Sequence, residues 1–268
     1  MFEEPSGYED EPREYFQDLP AKLSHLLYHY ERLSHDLSAE LNYYHQQLQD
    51  RCSRLLELGC GTGLLSTKLQ RMGYQVTGMD IDRRALIYLA EMQMYRLAQM
   101  DMRALGFSQG FEAVLIGQNT LNLLADPTEI RSCLKEVYRV LVDSGLLLAH
   151  LHCTEPDQVN RLDDRLLQFH IFDHPEGGKI IKETIRHYDK KHRRLNLEQR
   201  FKIRRFRRKL PDHNYRHLLS LVALSREQWI ELVESAGFVI ESWVHGFQKS
   251  TPASRSTLHL VARKFAPR

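Results

Sequence analysis

From Pro20 to about Gln49, Leu23, Leu26, Leu27, Tyr30, Leu33, Leu37 and Leu41 recur at intervals of three and four, which predicts amphipathic helix in two pieces. Beyond Arg54 the pattern changes to short apolar runs alternating with amphipathic stretches. Strands are predicted at Arg54 to Leu58, Gln75 to Met79, Tyr95 to Met100, Phe111 to Ile116 and Gly145 to Leu151. Helices are predicted at Gly63 to Met72 and Arg83 to Glu91, and a third is opened by Asp126 as cap, with Pro127 in its first turn and Glu129 completing a capping box.

Strands that alternate with helices pair in parallel and carry helices on both faces, so the expected class is an α/β, Rossmann-like doubly wound, mostly parallel sheet. Between about Lys179 and Leu224 the rhythm breaks. Strand-like segments at Lys179, Arg200 and His217 follow one another without a helix, which predicts an antiparallel β insertion. A capping box at Ser225 to Gln228, a stop at Gly237 and strands at Val239 to Val244 and Thr257 to Val261 complete seven strands, the last antiparallel. The expected organisation is an acidic leader (1–19), a core (20–178 and 225–268) and an insertion acting as a lid (179–224).

Composition changes this picture little. Of 268 residues, 42% are hydrophobic and 27% charged, which excludes a disordered or fibrous chain. The longest apolar runs are far too short to span a bilayer, and Met1-Phe2-Glu3-Glu4-Pro5 is unlike a signal peptide, so the expected location is cytoplasmic. Cys52, Cys60, Cys133 and Cys153 form no C-x-x-C pair, against a disulfide framework or structural zinc. Charge is more informative. The net value of +2 hides a leader with seven acids against Arg13 in residues 1–18, and a run with eleven Lys and Arg against Glu198 in residues 190–209. These segments suit each other, or the second suits a polyanion.

Chemistry concentrates at Glu57-Leu58-Gly59-Cys60-Gly61-Thr62-Gly63, the turn between the first parallel strand and its helix. Glycines there admit a ligand close to the backbone. A dinucleotide fingerprint would place glycine or alanine at 64, where Leu64 stands. Glu57 suits a cationic ammonium group rather than a pyrophosphate. Asp80, at the end of the second strand, suits the two hydroxyls of a ribose, with Ile81 beside it and Asp82 as a second candidate; Asp101, with the Met102 backbone, suits an adenine amine.

With these residues the chain resembles class I S-adenosylmethionine-dependent methyltransferases, from about Tyr28 onward. Within them it is similar to small bacterial methyltransferases with an Asn-Ser/Thr-Leu-x-His-Leu segment after the fourth strand and a strand-rich insertion after the fifth. Here these are Asn119-Thr120-Leu121-Asn122-Leu123-Leu124 and Lys179 to Leu224, followed by Ala236-Gly237-Phe238 and Val261-Ala262-Arg263-Lys264. The resemblance implies S-adenosylmethionine as cofactor. Gly59, Cys60, Gly61 and Gly63 would wrap its amino acid moiety, Asp80 and Ile81 its ribose, and Asp101 and Met102 its adenine. Gln118 would lie beside it, and Tyr30 would close over the sulfonium. Asn122 stands where the subgroup has histidine, and His150 where it has an acid.

Methyl transfer is an in-line displacement, in which alignment supplies much of the rate. A hydroxyl acceptor needs a base and an amine only needs to be neutral. His150, at the end of the fifth strand, is the candidate catalytic base, with Asn119, Asn122 and His152 as substrate-side candidates. A metal bound by His150, His152 and Cys153 is disfavoured, because Cys153 points to the opposite face. His170 and His174 are expected in a loop. The expected function is transfer of a methyl group to N or O of a small molecule. Two alternatives are an RNA methyltransferase using Phe201, Ile203 and Phe206 among the arginines of 190–209, and a cofactor-binding protein without turnover.

Overall fold

The computed structural model describes residues 16–33, 38–94, 96–154, 167–206, 213–245 and 257–265. Most of the acidic leader, Leu37, Tyr95, Arg207, Arg208 and Lys209 therefore lie outside the described residues. The chain opens with a short strand β1 (Gln17–Asp18) and helices α1 (Ala21–Leu33) and α2 (Ser38–Leu48). Next come β2 (Arg54–Leu58), α3 (Leu64–Arg71), β3 (Gln75–Asp80), α4 (Arg83–Glu91), β4 (Leu97–Gln99), β5 (Phe111–Ile116), α5 (Pro127–Val140) and β6 (Leu141–His152). Four strands follow: β7 (Leu167–Asp173), β8 (Lys179–Asp189), β9 (Arg194–Arg204) and β10 (His213–Val222). The chain then finishes with α6 (Arg226–Ser235), β11 (Phe238–His245) and β12 (Thr257–Lys264).

Seven strands form one sheet in the order β11-β12-β6-β5-β2-β3-β4, with β12 antiparallel to both neighbours and β6 through β4 parallel. Helices cover both faces, so the central strands bury consecutive apolar residues on both, as Leu55 and Leu56 of β2 and Val114, Leu115 and Ile116 of β5 show. In β6, Leu147, Ala149 and Leu151 join the core under α5 and α6. Leu146 and Leu148 join the opposite core, under α2, α3 and α4. The expected N-caps form at Asp126 and Ser225, but Glu129 does not close the expected capping box with Asp126. The Asp126 side chain accepts from the Thr128 and Glu129 amides, and Ser225 and Gln228 make a reciprocal capping box. Glu129 reaches one residue further back, accepting from the Ala125 amide at 2.8 Å.

The second sheet has the order β1-β10-β9-β8-β7, antiparallel from β10 to β7. Its inner face buries Phe172, Ile180, Phe201, Ile203 and Tyr215 against Leu27 of α1. This sheet begins at Leu167, before the expected start at Lys179, and it places His170 in strand β7 rather than in a loop. Phe169 and Ile171 of that strand are exposed, 62% and 60%, so no core-facing apolar pattern announced it, whereas Pro175 and Gly177 advertised the turn. His174 does lie in that turn, where its amide donates to Gly178 O at 3.1 Å.

Candidate functional site

Between the carboxyl ends of β2, β3 and β5 and the inner face of the second sheet lies a cavity of about 450 Å³, within the range of small-ligand sites. The glycine loop forms its floor. Gly59, Gly61 and Gly63 have φ values of +67°, +53° and +73°, in the left-handed region that side chains resist. Their surroundings differ. A Cβ on Gly59 would stand 2.3 Å from the Thr120 methyl, and one on Gly63 2.0 Å from Leu89 of α4, whereas one on Gly61 would meet nothing within 4 Å. Gly59 and Gly63 are thus small so that protein can pack, and Gly61 leaves room on the cavity side. Asp80 holds the loop in place, its carboxylate accepting from the amides of Gly61 at 2.8 Å and Asp82 at 2.9 Å.

Glu57 sits beneath this floor, buried and bonded by the Ser66 hydroxyl. Burial pushes its carboxyl up to about 8, against the pull of the Ser66 bond and helped by the nearby charges of Glu40 and Asp80. It is therefore mostly protonated at pH 7. Cys60, also buried, has its thiol pushed up by the same cause and is inert.

The far wall takes shape from residues the sequence did not single out. Glu40 of α2 is buried and lines the cavity; its carboxylate accepts from the Gln118 amide at 2.7 Å and lies 3.9 Å from His150 Nδ1. Tyr28 of α1 donates to the Gln118 carbonyl at 3.2 Å. Gln118 and Asn119 both adopt positive φ, +54° and +59°, a strained pair held at the mouth of β5. Glu31 also lines the cavity, but Lys182 of β8 donates to it at 2.7 and 2.9 Å, tying α1 to the second sheet. Above these, β9 and β10 offer Leu197, Gln199, Phe201, His217, Leu219 and Leu221.

Of the expected site residues, Glu57, Gly59, Cys60, Gly61, Asp80, Gln118 and Asn119 line the cavity together. The others lie off its wall. Tyr30 packs edge-on against His29 and His174, and Tyr28, two residues earlier, takes the lining position. Ile81 is 65% exposed, and Met102 packs under the sheet. Asp101 is gripped by Arg103 at 2.6 Å, which holds its carboxyl below the usual range. Asn122 is wholly buried and used structurally, donating to His152 O and Val222 O and accepting from the His152 amide. His150 stands behind Glu40 with its ring 4.4 Å from that of His259 of β12 and tilted to it by 51°, while His152 contacts Thr154 at 3.2 Å. Burial drives His259 down to about 3 and His152 to about 4, helped by the neighbouring imidazoles and, for His152, Arg186.

A model of the methyltransferase domain family matches residues 55–145, the span from β2 into β6 that holds the glycine loop, Asp80 and Gln118. This segment is similar to methyltransferase domains. A putative methyltransferase of Bacillus subtilis, YqeM, is 36% identical over 104 residues, 37% of this chain and 42% of that protein. The chain thus spans less than half the length of the curated relatives it matches. Beyond the domain match, likeness is one of fold. The amino pentose methyltransferase CalS10 of Micromonospora echinaspora superposes with TM-score 0.73 at 19% identity, covering 93% of this chain and 100% of that one. The sugar N-methyltransferase KedS8 of Streptoalloteichus gives 0.75 at 16%, covering 94% and 97%. The seven-stranded sheet with its antiparallel companion is therefore a methyltransferase fold throughout.

Proposed function

We propose that this chain is an S-adenosylmethionine-dependent methyltransferase acting on nitrogen or oxygen of a small molecule held under the second sheet. The observation that carries the reading is the glycine loop, which leaves room at Gly61 for a ligand beside Asp80, with the cavity continuing past Gln118. S-adenosylmethionine, when bound, supplies an electrophilic methyl group on a sulfonium. Gly61 admits its amino acid moiety, Glu57 ionises to meet the ammonium, and Asp80 accepts from the ribose hydroxyls. Ile81, Asp101 and Met102, at the ends of β3 and β4, would be the residues on the adenine side. The second sheet, from Leu167 to Val222, excludes water and sets the acceptor's position, so the lid is larger than 179–224.

The basic run supports this reading over an RNA acceptor. Among the described residues, Arg200 is bonded by Glu198, Lys202 by Glu183, Arg205 by Glu176 and Arg204 by Asn214. Arg194 is spent on the backbone oxygens of Leu124, Ala125 and Ser220. A phosphate track would have to break these contacts. Neighbours of like fold described as an amino pentose methyltransferase and a sugar N-methyltransferase are in keeping with a small acceptor in this cavity. The test is calorimetry of the purified chain with S-adenosylhomocysteine and with NAD. Binding of the first alone is expected, and binding of NAD alone would end the reading.

A further inference from the structure

Two carboxylates, Glu31 and Glu40, line the acceptor side of the cavity, and they are held in different ways. Glu31 has the Lys182 ammonium at 2.7 Å and serves as a strut. Glu40 is held by the neutral amide of Gln118 and faces His150 on its far side. Asn119, which follows Gln118 and lines the same cavity, has a buried Oδ1 that accepts no hydrogen bond. Two oxygen acceptors lining one cavity, one of them a carboxylate, suit a ligand bearing several N–H donors and a positive charge.

We propose that Glu40 is the catalytic residue on the acceptor side and that the acceptor is a protonated primary or secondary amine. This rests on the methyltransferase reading and narrows it from nitrogen or oxygen to nitrogen. The acceptor ammonium donates to Glu40 and Asn119 Oδ1. One proton passes to the Glu40 carboxylate and on to His150, a positioning residue that acts through Glu40. The freed nitrogen lone pair forms the N–C bond as the C–S bond breaks, and sulfur keeps the bonding pair. The positive charge thus moves from the sulfonium to the product methylammonium. An alcohol fits poorly, since its proton is far too weakly acidic for a carboxylate to remove. The charged and titratable groups around the couple are Glu57 from β2, His152 from β6 and His259 from β12, with Arg186 of β8 acting on His152. His150, 3.9 Å from Glu40, is the neighbour placed to take the proton onward.

The test uses the full chain, methyl-labelled S-adenosylmethionine and an extract of its own cells, with the product read by NMR as an N-bonded or O-bonded methyl. An N-methyl product is expected. Glu40→Gln should cut its formation at least about 100-fold while S-adenosylhomocysteine affinity, by calorimetry, changes less than about 3-fold. His150→Gln should move the acidic limb of the rate–pH curve with a smaller loss. An O-methyl product overturns the proposal, as does no product from a protein that binds the cofactor. So does a Glu40→Gln variant that loses affinity for S-adenosylhomocysteine as steeply as activity, because Glu40 would then be serving the cofactor's own ammonium. A wild-type chain that fails to bind S-adenosylhomocysteine overturns the methyltransferase reading instead.

Discussion

The parallel sheet and the antiparallel sheet both face the cavity but reach it by different means. The parallel sheet contributes strand ends and the turns after them: Glu57 to Gly61, Asp80 and Gly117 to Thr120. Much of that contribution is backbone, shaped by positive φ at Gly59, Gly61, Gln118 and Asn119. The antiparallel sheet contributes side chains in mid-strand, at alternate positions 197, 199 and 201 of β9 and 217, 219 and 221 of β10. Contacts made by backbone tolerate few substitutions, whereas those made by alternating side chains can be changed one at a time without altering the fold. Such a division suits an enzyme whose cofactor is fixed and whose acceptor differs among similar folds.

Substitutions in the loop separate the two kinds of glycine. Gly61→Val should abolish binding of S-adenosylhomocysteine by calorimetry while the chain still folds, since its branched side chain would enter open cavity. Gly63→Ala should act on folding, because its Cβ would collide with Leu89; backbone strain plus overpacking costs about 3 kcal/mol in denaturant unfolding. If Gly61→Val proved the less soluble and Gly63→Ala the non-binder, the assignment would be reversed. Next in size, Asp80→Ala should weaken cofactor affinity by about 2 to 4 kcal/mol, roughly 30-fold to 1,000-fold, and Asp82→Ala far less. Asp80→Ala also deprives the Gly61 amide of its acceptor.

Two further outcomes concern protons. Because Glu57 lies near 8, cofactor binding at pH 7 should release up to about one proton as the incoming ammonium favours the carboxylate. Calorimetry in buffers of different ionisation heat measures this, and Glu57→Gln should remove it. His152 and His259 have folded values depressed below the ordinary 6.5, so their stabilising contribution is complete above that value and is lost as pH falls toward 4 and 3. By pH 5 each should cost about 2 kcal/mol, and His259→Phe should flatten the acid limb of a urea-denaturation series. The smallest effect is expected on the second sheet's surface. Arg204→Ser with Arg205→Ser should change cofactor affinity less than about 2-fold and stability by about 1 kcal/mol or less.

Local signals made the parallel half of the molecule readable. Asp126, Pro127 and Ser225 start helices through contacts within four residues, and glycine at 59, 61 and 63 states a backbone shape directly. Glu40 could not be found this way. It sits in an ordinary amphipathic helix, and only the packing of α2 on the sheet brings it to Gln118, 78 positions away in the chain. Asn122 shows the opposite error: its position after the fourth strand suggested a ligand contact, but Val222, 100 residues later, claims its side chain. Tyr28 and Tyr30 share a helix, and which of them faces the cavity depends on the angle at which α1 crosses the second sheet.

Where the antiparallel sheet joins the core, chain leaving β6 and chain returning from β10 run side by side. Cys153 bridges Leu224 in parallel, the Thr154 amide donates to Leu224 O at 2.9 Å, and Asn122 bonds both His152 and Val222. The whole excursion thus grows from a single root, stitched shut at its base. With its two ends held adjacent, the excursion is anchored at its base independently of its ties to β1 and α1. A transplant made between Thr154 and Leu224 should therefore carry acceptor choice with it and leave the host's cofactor site alone.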